Sequence, residues 1–437
     1  MRILFVEPAF HSFMNYDRWY YPTSLAQLAA ICHMNNHETY IYDADRYFLK
    51  STATKNRIEL LNRQQQYFES INDFDHEIWQ HYLSVLKEYN PEVVGVSVFT
   101  CKFRSALNAL KIAKEYNPQI HTCIGGAHVT ALPDTFLSKN TIDGVFQGYS
   151  DATFPKWIED GCPKGIIRSN ANEINLKELP YPRRQALLSK EFYTPRDFGM
   201  VIASRGCVAQ CKFCSNSFLW EGRPFYRETE SVRNEIIELL DEWGVNSISL
   251  TDSSNSDFHV EAKRIANILK EFNVPWTTNV RWATVTKELL EHFIKCGCSG
   301  ISVGLEAGSD KILKYMKKGC NKKQIREKAQ IVNSLGLDWQ LFTIVGFPDE
   351  TAEEMIETRE LVLEIKPTSV SVNSLSPLPG TDVWKDVPGI TEEMASSVNQ
   401  LLPNYCFSKY VSLEEYKDIF VTITKCFEAY NSNKVNK

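Results

Sequence analysis

The sequence predicts an α/β protein: an N-terminal doubly wound domain over residues 1–160, then a partial (β/α)6 barrel over residues 200–385 and a small helical C-terminal region over residues 386–437. Three observations predict it. Short apolar runs alternate with helical patterns through both main stretches. The stretch between them, residues 161–199, carries CPKG, LKELPYPRRQ and TPRDFG, has no period, and reads as a linker. A length of 437 residues suits two or three domains.

The elements follow in order. Residues 2–6 are a short apolar run, hence a buried strand, and residues 22–34 place Leu25, Leu28, Ala29 and Cys32 at helical spacing. Residues 39–42 form a second strand, and the polar stretch 50–90 reads as helices inserted before the next one. Residues 93–99, VVGVSVF, lack polar alternation, as a parallel strand covered on both faces should. A helix over 104–116, a strand over 120–124 running into Gly125 and Gly126, and a strand over 143–146 complete the first domain. In the second, strands are expected at 200–203, 247–250, 276–280, 300–303, 338–345 and 369–374. Helices are expected at 231–242, 260–272, 287–296 and 352–365. Two more helical patterns, 392–402 and 413–429, precede a polar tail, NSNKVNK, expected to fray.

Composition narrows the function classes. Hydrophobic residues make up 43% and charged residues 23%, as in an ordinary globular protein. The net charge of −6 argues against broad nucleic-acid binding. No apolar run approaches the ~18 residues of a membrane span. The opening MRILFVEPAF reads as a strand and lacks the h-region of a signal peptide. Twelve Cys without export signals fit a reducing cytoplasm.

The chemistry is concentrated in SRGCVAQCKFCSNS, where Cys207, Cys211 and Cys214 stand in a C-x3-C-x2-C spacing. Three thiols on one Gly-containing loop can hold one soft metal centre. No fourth Cys follows within twenty residues to close a structural zinc site, and cubane iron–sulfur clusters are usually held by four thiolates. Three ligands leave one iron open, and an open position is where substrate binds. The C-x-C of Cys296 and Cys298 reads instead as a helix end turning into a strand.

With Phe213 just before its last Cys, this run resembles the radical S-adenosylmethionine (radical SAM) signature. The resemblance implies a 4Fe–4S cluster on the three Cys whose open iron chelates SAM, and reductive cleavage of SAM to a 5′-deoxyadenosyl radical. It implies SAM contacts from Phe213, from Asp252 at a strand end, from Arg281 as a fork for the SAM carboxylate, from Glu306 in SVGLEAGSD, and from Gly346 and Phe347 in the adenine segment. The bland alternatives are a surface ion pair for Arg281 and a helix-start carboxylate for Glu306.

The first domain resembles the cobalamin-binding domain that precedes the radical SAM core in one large subfamily (class B, methyltransferase-like). The resemblance implies corrin contacts from Ser97, Thr100, Gly125, Gly126, His128 and Gly148. The Asp-x-His-x-x-Gly motif, whose His binds cobalt in many corrin proteins, is absent, and a lone His is usually no ligand. Where the family often has Gly-Glu-Gly-Glu, residues 148–151 read GYSD, which alters the pocket or marks a domain that has lost its cofactor.

The implied whole is a cobalamin-dependent radical SAM enzyme, a C-methyltransferase acting at an unactivated carbon through methylcobalamin and the adenosyl radical. Its cofactors are the 4Fe–4S cluster, SAM and cobalamin. Its partners are a small-molecule or peptide substrate and an electron donor such as flavodoxin or ferredoxin. Two alternatives stay open: a radical SAM enzyme of non-methylating outcome, and a non-catalytic iron–sulfur or zinc protein. The aromatic runs at 15–22 and 216–228 either line a substrate cavity or pack in the core.

Overall fold

The computed structural model describes residues 1–17, 20–48, 53, 59–60, 63–169 and 175–435. The chain forms two compact units, Met1–Phe198 and Gly199–Lys437.

The first unit holds a parallel sheet of β1 (Arg2–Glu7), β2 (Glu38–Asp43), β3 (Val93–Ser97), β4 (His121–Gly125), β5 (Gly144–Gln147) and β6 (Gly165–Arg168) in the order β2-β1-β3-β4-β5-β6. β1 pairs with both β2 and β3, so the winding reverses there and the switch point lies between β1 and β3. The continuous apolar runs of β1 and β3 are buried, as helices on both faces require. Phe5, Phe146, Phe154 and Trp157 form a ring cluster on one face. The insertion before β3 contains the expected helices, Gln64–Ser70 and Glu77–Tyr89.

The segment 161–199 is more than a linker. Gly165–Arg168 is the sixth strand, parallel to β5. Farther on, Arg183 N–H donates to Ala26 O (2.9 Å), and Leu188 N–H to Ile41 O (3.0 Å). Arg46 pairs with Asp197 at 2.6 Å, and the Tyr193 hydroxyl donates to Asp43. The strand was hidden by its four-residue length and half-exposed faces. The Pro and charge that suggested a free linker serve as long-range partners of the first unit.

The second unit alternates strand and helix six times. β7 (Met200–Val201), β10 (Ile248–Leu250), β11 (Trp276–Val280), β12 (Cys298–Glu306), β13 (Asp338–Val345) and β14 (Ser369–Ser374) form one parallel sheet in the order β14-β13-β12-β11-β10-β7, the open barrel expected. A two-stranded antiparallel ribbon, β8 (Ser204–Arg205) with β9 (Phe225–Tyr226), stands beside it.

The C-terminal region joins this unit. The expected helix over 392–402 is shorter, Glu392–Ser397, because Ser374 N–H then donates to Gln400 O (2.7 Å) and draws the chain along the end of β14. The last helix, Leu413–Val435, includes most of the tail expected to fray. Asn431 explains this: its amide accepts from Val370 N–H (3.0 Å) and donates to Val370 O (2.8 Å), capping the edge strand. The final two residues lie outside the described part.

Candidate functional site

In the second unit the three thiols lie on the loop between β8 and β9, so the ribbon fixes both ends of the loop. Asp252, just past β10, anchors its start: Oδ1 accepts from Ala203 N–H and Ser204 N–H, both at 2.8 Å. Burial pushes this carboxyl up to about 6 against those two bonds, and Oδ2 is buried with no partner. Asp252 is thus placed against the loop backbone rather than as a ligand contact. Cys207 and Cys211 are buried and Cys214 is half-buried. Burial raises all three thiols, while Arg281 opposes this at Cys207 and Cys211 and Lys318 at Cys211 and Cys214.

Two ion pairs flank the loop. Arg281, just past β11, binds Asp257 (Nη1 to Oδ1, 2.7 Å), and the other Asp257 oxygen lies 3.5 Å from Cys207 Sγ. Glu306, at the end of β12, binds Lys318 (Oε1 to Nζ, 2.7 Å). Burial works against the Lys318 charge, but Glu306 and Cys211 more than offset it, so its pKa lies above the ordinary value. Lys318 also stands 5.9 Å over the Phe213 ring.

The Glu306 backbone is left-handed (φ 68°), where β12 shifts register against β13. A non-Gly residue there is strained, and such strain clusters at ligand sites. The carboxylate folds back over Gly304, where an added Cβ would stand 1.9 Å from Oε1. The sequence Gly304-Leu305-Glu306 therefore encodes a carboxylate resting on an absent side chain.

Past β13, Glu350 organises the Gly346–Phe347 turn: Oε2 accepts from Gly346 N–H (2.7 Å) and Phe347 N–H (3.0 Å). Burial pushes its carboxyl up to about 8. Gly346 faces Tyr416 of the last helix, whose hydroxyl donates to Val345 O (3.1 Å) and lies 2.7 Å from Ser374 Oγ. Phe347 meets Phe213 and Tyr315 edge-on, each at 6.2 Å. Thiol loop, Phe213, Arg281, Glu306 and Phe347 are thus linked by contacts. Asp257, Lys318, Glu350 and Tyr416 were not read from the sequence, since one Lys of KYMKKGC or one Asp of DSSNSDF has no local mark.

Among the described residues no three His, Cys, Asp or Glu side chains gather around a single-ion position. A cubane does not require that, because each of its thiolates binds its own iron. The donor set fits such a cluster: three thiols on one loop with Lys318 and Arg281 nearby to favour thiolates.

In the first unit the named residues lie at the carboxyl ends of β3, β4 and β5. Gly126 has φ 107°, and an added Cβ would stand 2.8 Å from both Val98 N and Val98 O. This glycine lets β3 and β4 close on each other and leaves no gap for a macrocycle at that point. Gly125 O accepts from Val98 N–H (2.8 Å), and Ser97 Oγ lies beside Gly126. Gly148 packs on Ser169, and its N–H donates to Thr130 Oγ1 (3.1 Å). His128 is not placed as a metal ligand. Its ring is buried between Phe103 (5.0 Å) and Phe136 (6.0 Å), with Nδ1 3.1 Å from Thr100 Oγ1. The residue that faces outward here is Phe99, 58% exposed just past β3. An exposed ring beside the switch point fits a flat, partly apolar cofactor.

Of the aromatic runs, Tyr16 and Tyr20 pack beside His11 and Tyr21 against Phe198, while Arg18 and Trp19 lie outside the described residues. Trp220 meets Phe225, and Tyr226 meets Phe258.

Comparison with known proteins gives the same two-part division. Residues 201–362 match the radical SAM superfamily and residues 63–158 the B12 binding domain. An uncharacterized methyltransferase of Pyrococcus horikoshii is 27% identical over 354 residues, covering 76% of this chain and 74% of that protein. The cytidylyl-2-hydroxyethylphosphonate methyltransferase of Streptomyces wedmorensis is 24% identical over 445 residues, covering 88% and 81%. The solved structure of the radical S-adenosylmethionine methyltransferase TsrM from Kitasatospora setae, with tryptophan substrate and a SAM analog bound, is similar in fold. Its TM-score is 0.66 at 15% identity, covering 88% of this chain and 75% of that one. No helix among the described residues is long and apolar enough to cross a membrane.

Proposed function

We propose, for a chain whose residues 63–158 belong to the B12-binding domain family and whose residues 201–362 belong to the radical SAM superfamily, the activity of a cobalamin-dependent C-methyltransferase acting at an unactivated carbon. When bound, the 4Fe–4S cluster, SAM and cobalamin supply a hydrogen-abstracting adenosyl radical and a transferable methyl group.

The observation that carries this reading is the thiol loop set between two largely buried ion pairs. The methionine end of SAM is a zwitterion, with an ammonium and a carboxylate. Glu306 and Asp257 offer carboxylates to the first; Lys318 and Arg281 offer cations to the second. An ion pair already in place holds those groups oriented and lowers the cost of reorganisation on binding. Phe213 and Phe347 offer ring faces for the adenine, and Glu350 holds the Gly346–Phe347 turn on which it rests. Cys207, Cys211 and Cys214 hold the cluster. The exposed Phe99 at the switch point receives the corrin. The substrate is a small molecule or peptide, and a one-electron donor such as flavodoxin or ferredoxin serves the cluster in a reducing cytoplasm.

Anaerobic reconstitution with iron, sulfide and hydroxocobalamin tests the assignment. Wild-type protein is expected to retain about four iron, as a cubane requires, and about one corrin, as one crevice allows. Cys207→Ala/Cys211→Ala/Cys214→Ala should lose the iron and keep the corrin. A protein that holds the cluster but no corrin would return the chain to the non-methylating radical SAM class.

A further inference from the structure

The sheet of the second unit has a face that the proposed function leaves unused. Along β11, β13, β14 and the middle of β12, buried side chains alternate with more exposed ones. A strand sends alternate side chains to opposite faces. The buried set packs outward on helices: Trp276 meets Phe293 of the helix Lys287–Lys295 at 5.2 Å, and Trp339 Nε1 donates to Asn333 of the helix Lys322–Ser334 (2.9 Å). The other set, with Thr277, Asn279, Ser302, Phe342 and Ser371, faces the barrel interior. A closed barrel fills its interior with Val, Ile and Leu. This open one places mostly hydroxyl and amide side chains there, so its interior is not a packed core.

These side chains form one hydrogen-bonding surface. Asn279 and Ser302 are neighbours in register, as are Gly304 with Phe342 and Phe342 with Ser371. Asp252 O only accepts, so Asn279 turns Nδ2 to it (2.9 Å) and Oδ1 away. Asn255 N–H donates to Asn279 O (2.8 Å). Among the described residues, Asn255 Nδ2 and Ser371 Oγ are buried with no partner, and Asn255 is only 4% exposed. A buried donor left so is costly until a ligand meets it.

The bland reading fills the interior with water. Against it stands position. At Gly304, two residues past Ser302, an added Cβ would stand 1.9 Å from Glu306 Oε1 and 2.9 Å from Lys318 Nζ. The interior therefore opens directly below the groups assigned to the methionine end of SAM. A carbon that loses hydrogen to the adenosyl radical must be held close against it.

We propose that this interior binds the substrate, and that the part bound there is a neutral ring carrying hydroxyl or amide groups, a glycosyl or nucleoside moiety. The proposal rests on the radical SAM reading of the site above it. The hydroxyls and amides match such a moiety, and Phe342 offers a ring face. A phosphate or carboxylate finds no free cation here, because Lys318 and Arg281 are already paired with Glu306 and Asp257. An apolar macrocycle leaves the hydroxyls and amides unpaired, and a site built for hydrogen bonds rejects a ligand without them.

Equilibrium dialysis of the full-length, reconstituted, unreduced protein with SAM bound tests the proposal. The probes are nucleosides, hexosides and cyclitols, each beside its phosphate monoester, and protoporphyrin as the apolar macrocycle. At least one neutral probe should be retained, with its phosphate ester about tenfold weaker, the cost of a charge without a partner. Ser302→Val/Ser371→Val should lose that probe while keeping wild-type iron content and SAM affinity. If that variant fails to hold iron, Ser302→Ala/Ser371→Ala replaces it. Four results would overturn the proposal: no neutral probe retained, a phosphate ester bound as tightly as its parent, protoporphyrin bound in place of the neutral probes, or binding unchanged in the variant. Iron content and SAM affinity report the radical SAM reading separately, so its failure is distinguished from failure of the substrate class.

Discussion

Glu306 is the residue where local structure and chemistry are most tightly joined. Its left-handed backbone, its seat over Gly304 and its bond to Lys318 each depend on the others. Gly304→Ala is therefore expected to act at a distance of two residues, displacing the carboxylate without touching the thiols. The iron content should stay at the wild-type value while SAM affinity, measured by calorimetry on the reconstituted protein, falls. Losing a charge-assisted hydrogen bond costs about 1.5–3 kcal/mol, roughly a ten- to hundredfold loss of affinity, and Glu306→Ala should match it. Wild-type affinity in both variants would return Glu306 to a helix-start role. Lys318→Met leaves Glu306 buried without its cation and should weaken SAM binding as well, with the cluster again retained. The positions of Glu306 and Arg281 were legible in the sequence because each follows a strand. Their partners were not, since Lys318 and Asp257 acquire meaning only when separate loops meet.

At the scale of elements, the Gly346–Phe347 turn depends on one buried carboxylate and on a helix outside the matched family region. Glu350 holds the turn, and Tyr416 of the last helix supports it from below. Burial pushes the Glu350 carboxyl up to about 8 in the fold, against the ordinary 4.5 it keeps in the unfolded chain. The folded state therefore binds the proton more tightly, and stability falls as pH rises from 4.5 toward 8. Glu350→Gln keeps an oxygen for both N–H groups and removes that titration. Its thermal midpoint should lose less than the wild type's between pH 5 and pH 8, a window set by those two values. Parallel curves for the two proteins would mean Glu350 is not protonated in the fold. In the first unit, Gly126→Ala should lower the thermal midpoint, since an added Cβ meets the Val98 backbone at 2.8 Å. Corrin loss in bulkier variants at Gly126 is then a consequence of a broken sheet edge. The strands of both sheets were legible as apolar runs, whereas β6 was not: four half-exposed residues carry neither a run nor a period. The helical tail was missed for a related reason. Asn431 reads as a polar, fraying residue until the backbone of Val370 is beside it.

For the whole molecule, the division into two α/β units was legible because strand–helix alternation stops and restarts around the Pro-rich segment. The function was legible from eight residues, since C-x3-C-x2-C confines the chemistry before any fold is known. The corrin side was less so. Its glycines serve the sheet, and the exposed Phe99 carries no local mark that would distinguish it from a core ring. The measurement that bears most directly on a methyltransferase using both units is the fate of SAM itself. Reconstituted, corrin-loaded protein is reduced and incubated with SAM carrying a labelled methyl group, and the nucleoside products are quantified. Both 5′-deoxyadenosine and S-adenosylhomocysteine are expected, the first lost in the triple Cys variant and the second lost in corrin-free protein. Formation of 5′-deoxyadenosine with no S-adenosylhomocysteine in the corrin-loaded protein would contradict methyl transfer.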